Sequence, residues 1–271
     1  MKLKIGLVQM ATLLGRAEEN RRRFQELLAG VAGEADLVVF PETWNLGFYP
    51  DNVSRLAAGE GERTRTFVAE LARRYRVNIC AGSIAEGVDG ALYNTTYVFD
   101  RQGEVIGRYR KIHLFTHGRE HHYFTAGSRP GLFAAEGITW GHMICYDLRF
   151  PELARTLALA GARVLLVPAQ WPGARLHHWR TLLLARAIEN QLYVIGVNGC
   201  GTMVGGRKAC GHSLAVDPWG EIMAEAGAGE ETILVELDLE RVAEVRREFG
   251  VFPDRRPAVY RLEGKPFAWD K

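Results

Sequence analysis

Apolar segments of strand length recur along the whole chain and alternate with amphipathic segments of helical period. Many of the apolar segments are rich in β-branched residues and end in Gly, Pro or Asp, as buried strands do. Strands are predicted for KIGLVQM, DLVVF, VNICAGSI, LYNTTYVF, ITWGHMIC, RVLLVPAQ, LYVIGVN, HSLAVD and TILVEL. Helices are predicted at about 17–33, 61–76, 151–161, 176–190 and 239–248. This alternation of strands and helices predicts an α/β fold.

Three consecutive strand segments have no helix between them. Segment 77–84 is followed by 92–99 and then by 105–109, with only short turns in between. A purely parallel sheet would need a crossover at each of these connections. We therefore expect two mixed sheets packed face to face, with helices outside. No linker or repeat divides the chain, which predicts a single domain over residues 1–271.

The composition narrows the class of protein. Charged residues make up 24% of the chain and the formal net charge is +2, which gives no electrostatic case for binding nucleic acid or a membrane. Cys80, Cys145, Cys200 and Cys210 show no C-x-x-C spacing and are too few for a disulfide framework. The first apolar run is broken by Gln9, so it predicts a strand and not a signal peptide, and no run is long enough for a membrane span. We expect a cytoplasmic protein with a small-molecule partner.

Residues 117–121, HGREH, fit the H-x-x-E-H pattern of inverted zinc peptidases. That motif requires a helix, because one turn of spacing puts both imidazoles on the same side of the metal. Gly118 lies inside this segment, and the flanking sequence predicts a loop. We therefore expect no metal and interpret the histidines as polar loop residues, with a zinc peptidase kept as a remote alternative.

A sharper chemical signal lies in ITWGHMICYDLRFPELARTLALAG, residues 138–161. An apolar strand is predicted to end at Cys145, and a helix to begin at Pro151, whose ring suits the first helical turn. A thiol at such a turn lies near backbone N–H groups that can favour a thiolate and stabilise an oxyanion. Cys145 is therefore a candidate nucleophile, although an unpaired cysteine is also commonly buried as a small apolar residue.

Two other strand ends carry charged residues that could serve this nucleophile. In DLVVFPETW, an apolar strand runs into Glu42, which would lie at the rim of the core as a candidate general base. In GRYRKIHLF, Lys111 follows an alternating segment. Taken singly, Glu42 also fits a salt-bridged rim residue and Lys111 a surface charge.

Taken together, these motifs resemble the nitrilase (carbon-nitrogen hydrolase) superfamily over nearly the whole chain. They occur in the order FPET at 40–43, YRKIHLF at 109–115 and ICYDLRFPE at 144–152. The resemblance implies a four-layer αββα sandwich and a Glu-Lys-Cys triad, which falls here on Glu42, Lys111 and Cys145. A second glutamate of the family falls on Glu120, so the match of HGREH to a zinc motif is interpreted as accidental.

Within the superfamily, residues 169–201, with REHHYFTAG, look most like the bacterial ω-amidase branch. That branch hydrolyses the terminal amide of 2-oxo acids such as 2-oxoglutaramate or 2-oxosuccinamate. The resemblance implies a cysteine-dependent amidase that releases ammonia through a thioester and needs no cofactor. The chain departs from relatives that carry N-R-x-G, because it has Asn198, Gly199, Cys200 and Gly201 there. Any role of that arginine is in doubt, and Cys200 is interpreted as a space-filling residue.

The resemblance also implies roles for the site residues. Glu42 would take the proton of Cys145, and Lys111 with the N–H groups around Tyr146 would hold the oxyanion. Glu120 would orient Lys111 or the substrate.

The carboxylate of an ω-amide acid calls for a planar guanidinium. Arg149 and Arg175 are the candidates, with a structural ion pair of Arg149 to Asp147 or Glu152 as the alternative. Aromatic residues that could line a substrate pocket are Trp171, Tyr49 and Phe124.

Other functions remain open at this stage. They are a deaminated-glutathione amidase, an aliphatic amidase, a carbamoyl hydrolase or a nitrilase, although CYDLRFPE favours an amide over a nitrile. A non-catalytic binding protein on the same fold is disfavoured by the intact motif set. The C-terminal tail, about 249–271, is apolar in FGVFPDRRPAVY and is interrupted by two prolines, so it could pack across a neighbour. The superfamily implies a homodimer or higher homo-oligomer.

Overall fold

The computed structural model describes residues 1–48, 50 and 52–260 of the chain. Its strands are β1 (Lys2–Gln9), β2 (Leu37–Val39), β3 (Asn78–Val88), β4 (Ala91–Phe99), β5 (Val105–Arg110), β6 (Gly131–Ala135), β7 (Ile138–His142), β8 (Val164–Ala169), β9 (Tyr193–Asn198), β10 (Cys200–Thr202), β11 (Lys208–Cys210), β12 (Leu214–Val216), β13 (Ile222–Glu225) and β14 (Glu231–Asp238). Its α-helices are α1 (Ala17–Ala29), α2 (Val53–Leu56), α3 (Glu60–Tyr75), α4 (Pro151–Leu159), α5 (Leu176–Asn190) and α6 (Glu240–Glu248).

The strands of the described residues form two six-stranded mixed sheets and one small hairpin. The first sheet has the order β14-β1-β2-β3-β4-β5, and the second has the order β13-β12-β9-β8-β7-β6. Parallel pairs lie in the middle of each sheet, at β1-β2-β3 and at β7-β8-β9, while the outer pairs are antiparallel. The hairpin joins β10 to β11.

One face of each sheet packs against the other sheet. Ile5 and Val39 of the first sheet share a fully buried cluster with Trp140 and Ile195 of the second. Val38, between two residues of β2 that face this cluster, belongs instead to the cluster under α1 and α3. Because both faces of such a central strand are buried, its sequence is a continuous apolar run and not an alternating one.

Helices cover the outer face of each sheet. Phe24 of α1 and Val68 of α3 pack on the first sheet, and Leu157 of α4 and Leu183 of α5 pack on the second. The layers therefore follow the order helix, sheet, sheet, helix. This confirms the prediction of an αββα sandwich with two mixed sheets.

Element boundaries differ from the predictions in a few places. The first helix ends at Ala29, before Gly30, and not near residue 33. The predicted strand ITWGHMIC ends at His142, because the chain turns before Cys145 and enters a 3-10 helix (Cys145–Arg149). The short strands β6, β10, β11 and β13 and the single turn α2 were not predicted, since three to five residues carry too little periodicity.

The described part of the C-terminal tail, residues 249–260, runs in turns. Phe252 lies between the guanidinium groups of Arg155 and Arg246, at 5.1 and 5.0 Å from its ring centroid. Residues 261–271, which complete the predicted tail, lie outside the described residues. None of the helices in the described part is long and apolar enough to cross a membrane.

Candidate active site

Glu42, Lys111 and Glu120 meet in one fully buried cluster. Lys111 Nζ donates to Glu42 Oε1 at 2.7 Å and to both carboxylate oxygens of Glu120, at 3.1 and 2.9 Å. The three side chains are 0–1% exposed. Cys145, at 6% exposure, borders the same cluster, and the charges of Glu42 and Lys111 both shift the pKa of its thiol. The four residues that the motifs singled out therefore converge.

The loop after β2 positions Glu42 through backbone contacts from both sheets. Its own N–H donates to the carbonyl of Ala169 at 3.4 Å, and one carboxylate oxygen accepts the N–H of Gln170 at 2.9 Å. On the other side, Ser83 N–H donates to the carbonyl of Pro41 at 3.2 Å. Glu42 is thus held where the two sheets meet.

Asp147 fastens the turn that carries Cys145, and the sequence analysis missed this role. Its carboxylate accepts the N–H of Ile144 at 2.9 Å and the hydroxyl of Tyr109 at 2.7 Å. It also accepts the backbone N–H of His113 at 2.9 Å. Since Tyr109 and His113 lie on either side of the lysine in YRKIH, this one carboxylate ties the lysine motif to the cysteine motif.

Cys145 has a backbone φ of +47°, in the left-handed region. This conformation costs an ordinary residue about 1–2 kcal/mol, so the surrounding bonds must hold it in place. A 3-10 helix begins at Cys145, and the N–H of Tyr146 therefore has no acceptor in a preceding turn. The turn has the character of a nucleophile elbow.

The charges of the cluster shift the pKa values of its members. Burial alone would lower the pKa of Lys111, but Glu120 and Glu42 together raise it well above its usual value, so the ammonium stays charged. Burial raises the pKa of Glu120, and the negative charge of Glu42 adds to this, while Lys111 opposes it. One ammonium is thus shared by two carboxylates.

The surroundings of Cys145 oppose ionisation of its thiol. Burial raises its pKa well above the usual value, and Glu42 raises it further, against the opposing charge of Lys111. Backbone N–H groups at the turn can favour a thiolate, but burial and the adjacent carboxylate act in the opposite direction.

Asn94 is a fifth polar residue of the cluster, and sequence reasoning missed it. Its Nδ2 donates to Glu42 Oε1 at 2.9 Å and to Glu120 Oε1 at 3.0 Å. The available signal was an amide in the middle of the apolar strand LYNTTYVF. A buried amide in a strand requires partners, which is the clue that would have drawn attention to it.

A narrow open cavity leads to Cys145. Its wall is formed in part by Phe48, Phe115, Trp171 and Met203. Apolar and aromatic walls of this kind exclude water from a small ligand.

Three guanidinium groups also line this cavity, from Arg149, Arg175 and Arg207. Within the part of the chain that the structure describes, none of the three forms an ion pair with a carboxylate, and the alternative of a pair from Arg149 to Asp147 or Glu152 is not formed. Burial, and then the charge of Arg175, lower the pKa of Arg149. These positive charges together make the cavity suited to an anion.

The remaining predicted wall residues have different positions. Trp171 lines the cavity, and the guanidinium of Arg149 lies over its ring, 4.8 Å from the ring centroid. Phe124 does not line it but packs with Phe48 in a buried cluster behind the wall, because its loop folds inward. Tyr49 lies outside the described residues. Arg207 and Met203, on the hairpin of β10 and β11, were not predicted.

Gly199 stands where relatives carry the arginine of N-R-x-G, and it lies against the side chain of Gln170. A Cβ atom there would lie 2.4 Å from the amide oxygen of Gln170, so this side chain would have to move. The amide nitrogen of Gln170 donates to the carbonyl of Glu42 at 3.1 Å, and that bond would then be disturbed.

The HGREH segment does not form the helix that a zinc peptidase motif requires. It forms two separate 3-10 turns, Thr116–Gly118 and Glu120–His122, with Arg119 at a φ of +60° between them. The histidines of the segment are exposed, whereas Glu120 points inward to Lys111. The glutamate therefore belongs to the cysteine cluster.

Comparison with known proteins identifies the family of this chain. Residues 4–247 match the family Carbon-nitrogen hydrolase. The chain is 40% identical over 260 residues to a 2-oxoglutaramate amidase of Bacillus subtilis (strain 168), covering 96% of this chain and 100% of that protein. It is 32% identical over 274 residues to Omega-amidase NIT2 of Danio rerio, covering 96% of each. The crystal structure of Saccharomyces cerevisiae Nit3, a member of branch 10 of the nitrilase superfamily, matches with a TM-score of 0.85 at 30% identity, covering 93% of this chain and 95% of that chain. The chain belongs to the carbon-nitrogen hydrolase family, as its motifs predicted.

Proposed function

We propose that this protein hydrolyses the terminal amide of a small 2-oxo carboxylic acid, such as 2-oxoglutaramate or 2-oxosuccinamate, to the acid and ammonia. The observation that carries the proposal is a thiol beside a buried carboxylate and ammonium, at the end of a cavity whose guanidinium groups form no ion pair with a carboxylate among the described residues. The names of the relatives from Bacillus subtilis and Danio rerio support the same substrate class.

Glu42 takes the thiol proton through Oε2. Its Oε1 already accepts bonds from Lys111 and Asn94, whereas Oε2 accepts one bond among the described residues, from the N–H of Gln170. A carboxylate oxygen has two acceptor sites, so Oε2 keeps one for the thiol. As the proton moves to Glu42, the sulfur of Cys145 bonds to the amide carbon.

The carbonyl oxygen becomes an oxyanion, and Lys111 and the N–H of Tyr146 stabilise it. Lys111 has three N–H donors: one goes to Glu42 and one can be shared by the two oxygens of Glu120, which leaves the third for the oxyanion. Donors fixed in advance in a water-poor site typically contribute about 3 kcal/mol each to such a transition state.

Ammonia leaves when the tetrahedral intermediate collapses. Glu42 returns its proton to the nitrogen, the C–N bond breaks and a thioester of Cys145 remains. Glu42 then takes a proton from water, whose oxygen attacks the thioester carbon. The C–S bond breaks, the acid leaves and Glu42 returns the proton to sulfur. Glu120 keeps Lys111 in place throughout.

Arg149 and Arg175 bind the substrate carboxylate, with Arg207 at the rim of the same cavity. We expect Arg175→Met to weaken turnover of 2-oxoglutaramate roughly tenfold to a hundredfold, because a hydrogen bond to a charged group is lost. Ammonia release from a simple aliphatic amide should be retained, since that substrate has no carboxylate.

The measurement is kcat/KM for ammonia release from 2-oxoglutaramate, glutamine, butyramide and butyronitrile. Arg180→Met is a matched control, since Arg180 lies on α5 and pairs with Glu225, away from the cavity lining. An equal loss on the acid and the aliphatic amide would reject the carboxylate assignment. A preference of the wild type for one of the other substrates would reject the ω-amidase assignment and keep the amidase class.

A homodimer is part of the proposal. Leu159 of α4, Ile188 of α5 and Phe249 after α6 are 50%, 53% and 63% exposed on the outer helical layer. A second copy of the chain packed on this layer would remove these side chains from water. A sedimentation mass equal to that of one 30.3 kDa chain would reject the dimer.

A further inference from the structure

Asn94 on β4 contacts three charged residues of the site. Its side chain donates to Glu42 and to Glu120, and its backbone carbonyl accepts the N–H of Lys111 at 2.9 Å. Asn94 is 1% exposed, so bulk water does not replace these bonds. One residue therefore connects the base, the lysine and the second glutamate.

The cluster has an excess of negative charge that Asn94 is suited to stabilise. Two carboxylates share the single ammonium of Lys111, and like charges at this distance repel strongly in a buried site. The amide NH2 is neutral and has two N–H donors, so it can donate one hydrogen bond to each of the two carboxylates. An aspartate in this position would add a third negative charge, and an apolar residue would withdraw one donor from each glutamate.

The neighbours of Asn94 leave one favourable orientation of its amide. With the reverse orientation, Oδ1 would face two carboxylate oxygens and repel both. In the observed orientation, Oδ1 has no hydrogen-bond partner among the described residues. Both donors of the amide thus serve the glutamates, while its buried acceptor has no hydrogen bond among the described residues. The amide therefore contributes its hydrogen bonds to the site and none to the neighbouring strands.

We propose that Asn94 is a positioning residue that holds Glu120 in its charged form and occupies Oε1 of Glu42, so that Oε2 faces the thiol of Cys145. This inference rests on the proposed function of the cluster. Its titratable neighbours are Glu42 in the loop after β2, Lys111 after β5, Glu120 in its 3-10 turn and Cys145 after β7.

Two substitutions should move the pH profile of kcat/KM in opposite directions. In Asn94→Leu, Glu120 loses a donor to its charged form and Glu42 loses the bond that occupies its Oε1. The acid limb should therefore move to higher pH, and activity at neutral pH should fall roughly tenfold to a hundredfold. In Asn94→Asp the new acid supports the site only while protonated, so activity is lost as pH rises and the optimum moves to lower pH.

Thr96→Val is the matched control. Thr96 lies on the same strand, is fully buried, and its hydroxyl has no hydrogen-bond partner among the described residues. The substitution keeps the shape and removes a polar group that the site does not use. We expect the pH profile of the wild type.

The proposal is overturned if each Asn94 variant loses activity by the same factor at every pH, or if neither variant shifts the pH profile of kcat/KM. Should Asn94→Leu fail to fold, the nearly isosteric Asn94→Asp decides by the direction of its shift. Failure of both variants to fold would assign Asn94 to the fold alone and also overturn the proposal.

Alkylation of Cys145 by iodoacetamide separates this inference from the proposed function. The rate as a function of pH reports on the same cluster without any substrate. If the wild type hydrolyses none of the amides, the proposed function fails, while the alkylation profiles of the Asn94 variants still test the positioning role.

Discussion

At the scale of residues, burial raises the pKa of each cysteine in the described chain. The pKa rises to about 12 for Cys80, to about 11 for Cys200 and to about 12 for Cys210, and it lies well above the usual value for Cys145. The shift alone therefore does not single out a nucleophile. What distinguishes Cys145 is the adjacent carboxylate and ammonium, which is why we assign the chemistry to that cluster.

His142 gives the protein a specific sensitivity to acid. It is 1% exposed, both ring nitrogens lack a hydrogen-bond partner among the described residues, and it stacks on Phe133 at 4.9 Å. Burial lowers its pKa from 6.5 to about 3. Between these two pH values, His142 is therefore protonated in the unfolded chain and neutral in the folded chain.

We expect His142→Leu to become more stable relative to the wild type as pH falls below about 6.5. The stability that neutral His142 contributes is fully present above pH 6.5 and is lost as pH falls towards 3, by about 1.4 kcal/mol per pH unit. Urea unfolding of both proteins at pH 7.5, 6 and 5 measures the difference. A difference that stays constant over this range would show that His142 carries no proton linkage.

The site residues that could be predicted from the sequence are those that belong to a recognisable motif. Glu42, Lys111, Glu120 and Cys145 follow strand ends or a recognisable loop, and the structure brings them together. Asn94, Asp147 and Arg207 were missed because their roles depend on contacts between distant segments. The amide of Asn94 within an apolar strand is a signal that it needs partners, but the sequence does not say which residues these are. An arginine on a short hairpin gives no such signal.

At the scale of elements, the loop that carries Glu42 lies unusually close to β3. Gly82 has a φ of +62°, and a Cβ atom there would lie 2.0 Å from the carbonyl oxygen of Pro41. The approach lets Ser83 N–H donate to that same carbonyl. The register of β3 against β4 shifts at this point, between Cys80 and Ser83.

Gly82→Ala should therefore displace the Glu42 loop. We expect a loss of about 3 kcal/mol in the free energy of unfolding and a large fall in kcat, because backbone atoms have to separate. Gly90→Ala is the control, since Gly90 has a φ of +79° in a turn with no atom within 4 Å of the added Cβ.

Gly90→Ala should lose only about 1–2 kcal/mol in the free energy of unfolding, because the left-handed backbone is its only source of strain, and it should keep its activity. Urea unfolding and amide turnover of both variants give the comparison. Equal losses in the two variants would mean that the contact with Pro41 does not position the base.

The long elements were predicted well because each has a period that one sequence can reveal. The helices α3 and α5 begin and end within one residue of the predicted limits. Boundaries failed where backbone geometry decides, as at Cys145, whose positive φ turns the chain after β7. The hairpin of β10 and β11 was missed because each strand has only three residues.

At the scale of the whole molecule, the site is assembled across the seam of the sandwich. Glu42, Asn94 and Lys111 come from the first sheet and its loops, and Cys145 and Gln170 follow strands of the second. The N–H of Gln170 bonds to Glu42 across this seam at 2.9 Å. The four-layer fold could be predicted from the order of strands and helices and from the resemblance. The spacing between the two sheets and the lining of the cavity could not, because both depend on how side chains of the two sheets pack against each other.

The most direct test of the account is ammonia release from 2-oxoglutaramate by the wild type, Cys145→Ala and Cys200→Ala. Cys200 is also buried, at 4% exposure, so its replacement makes the same change of volume outside the proposed cluster. The account predicts turnover by the wild type and by Cys200→Ala, and a loss of at least about a thousandfold in Cys145→Ala. Turnover retained by Cys145→Ala would contradict the account, because the thioester would then have no sulfur on which to form.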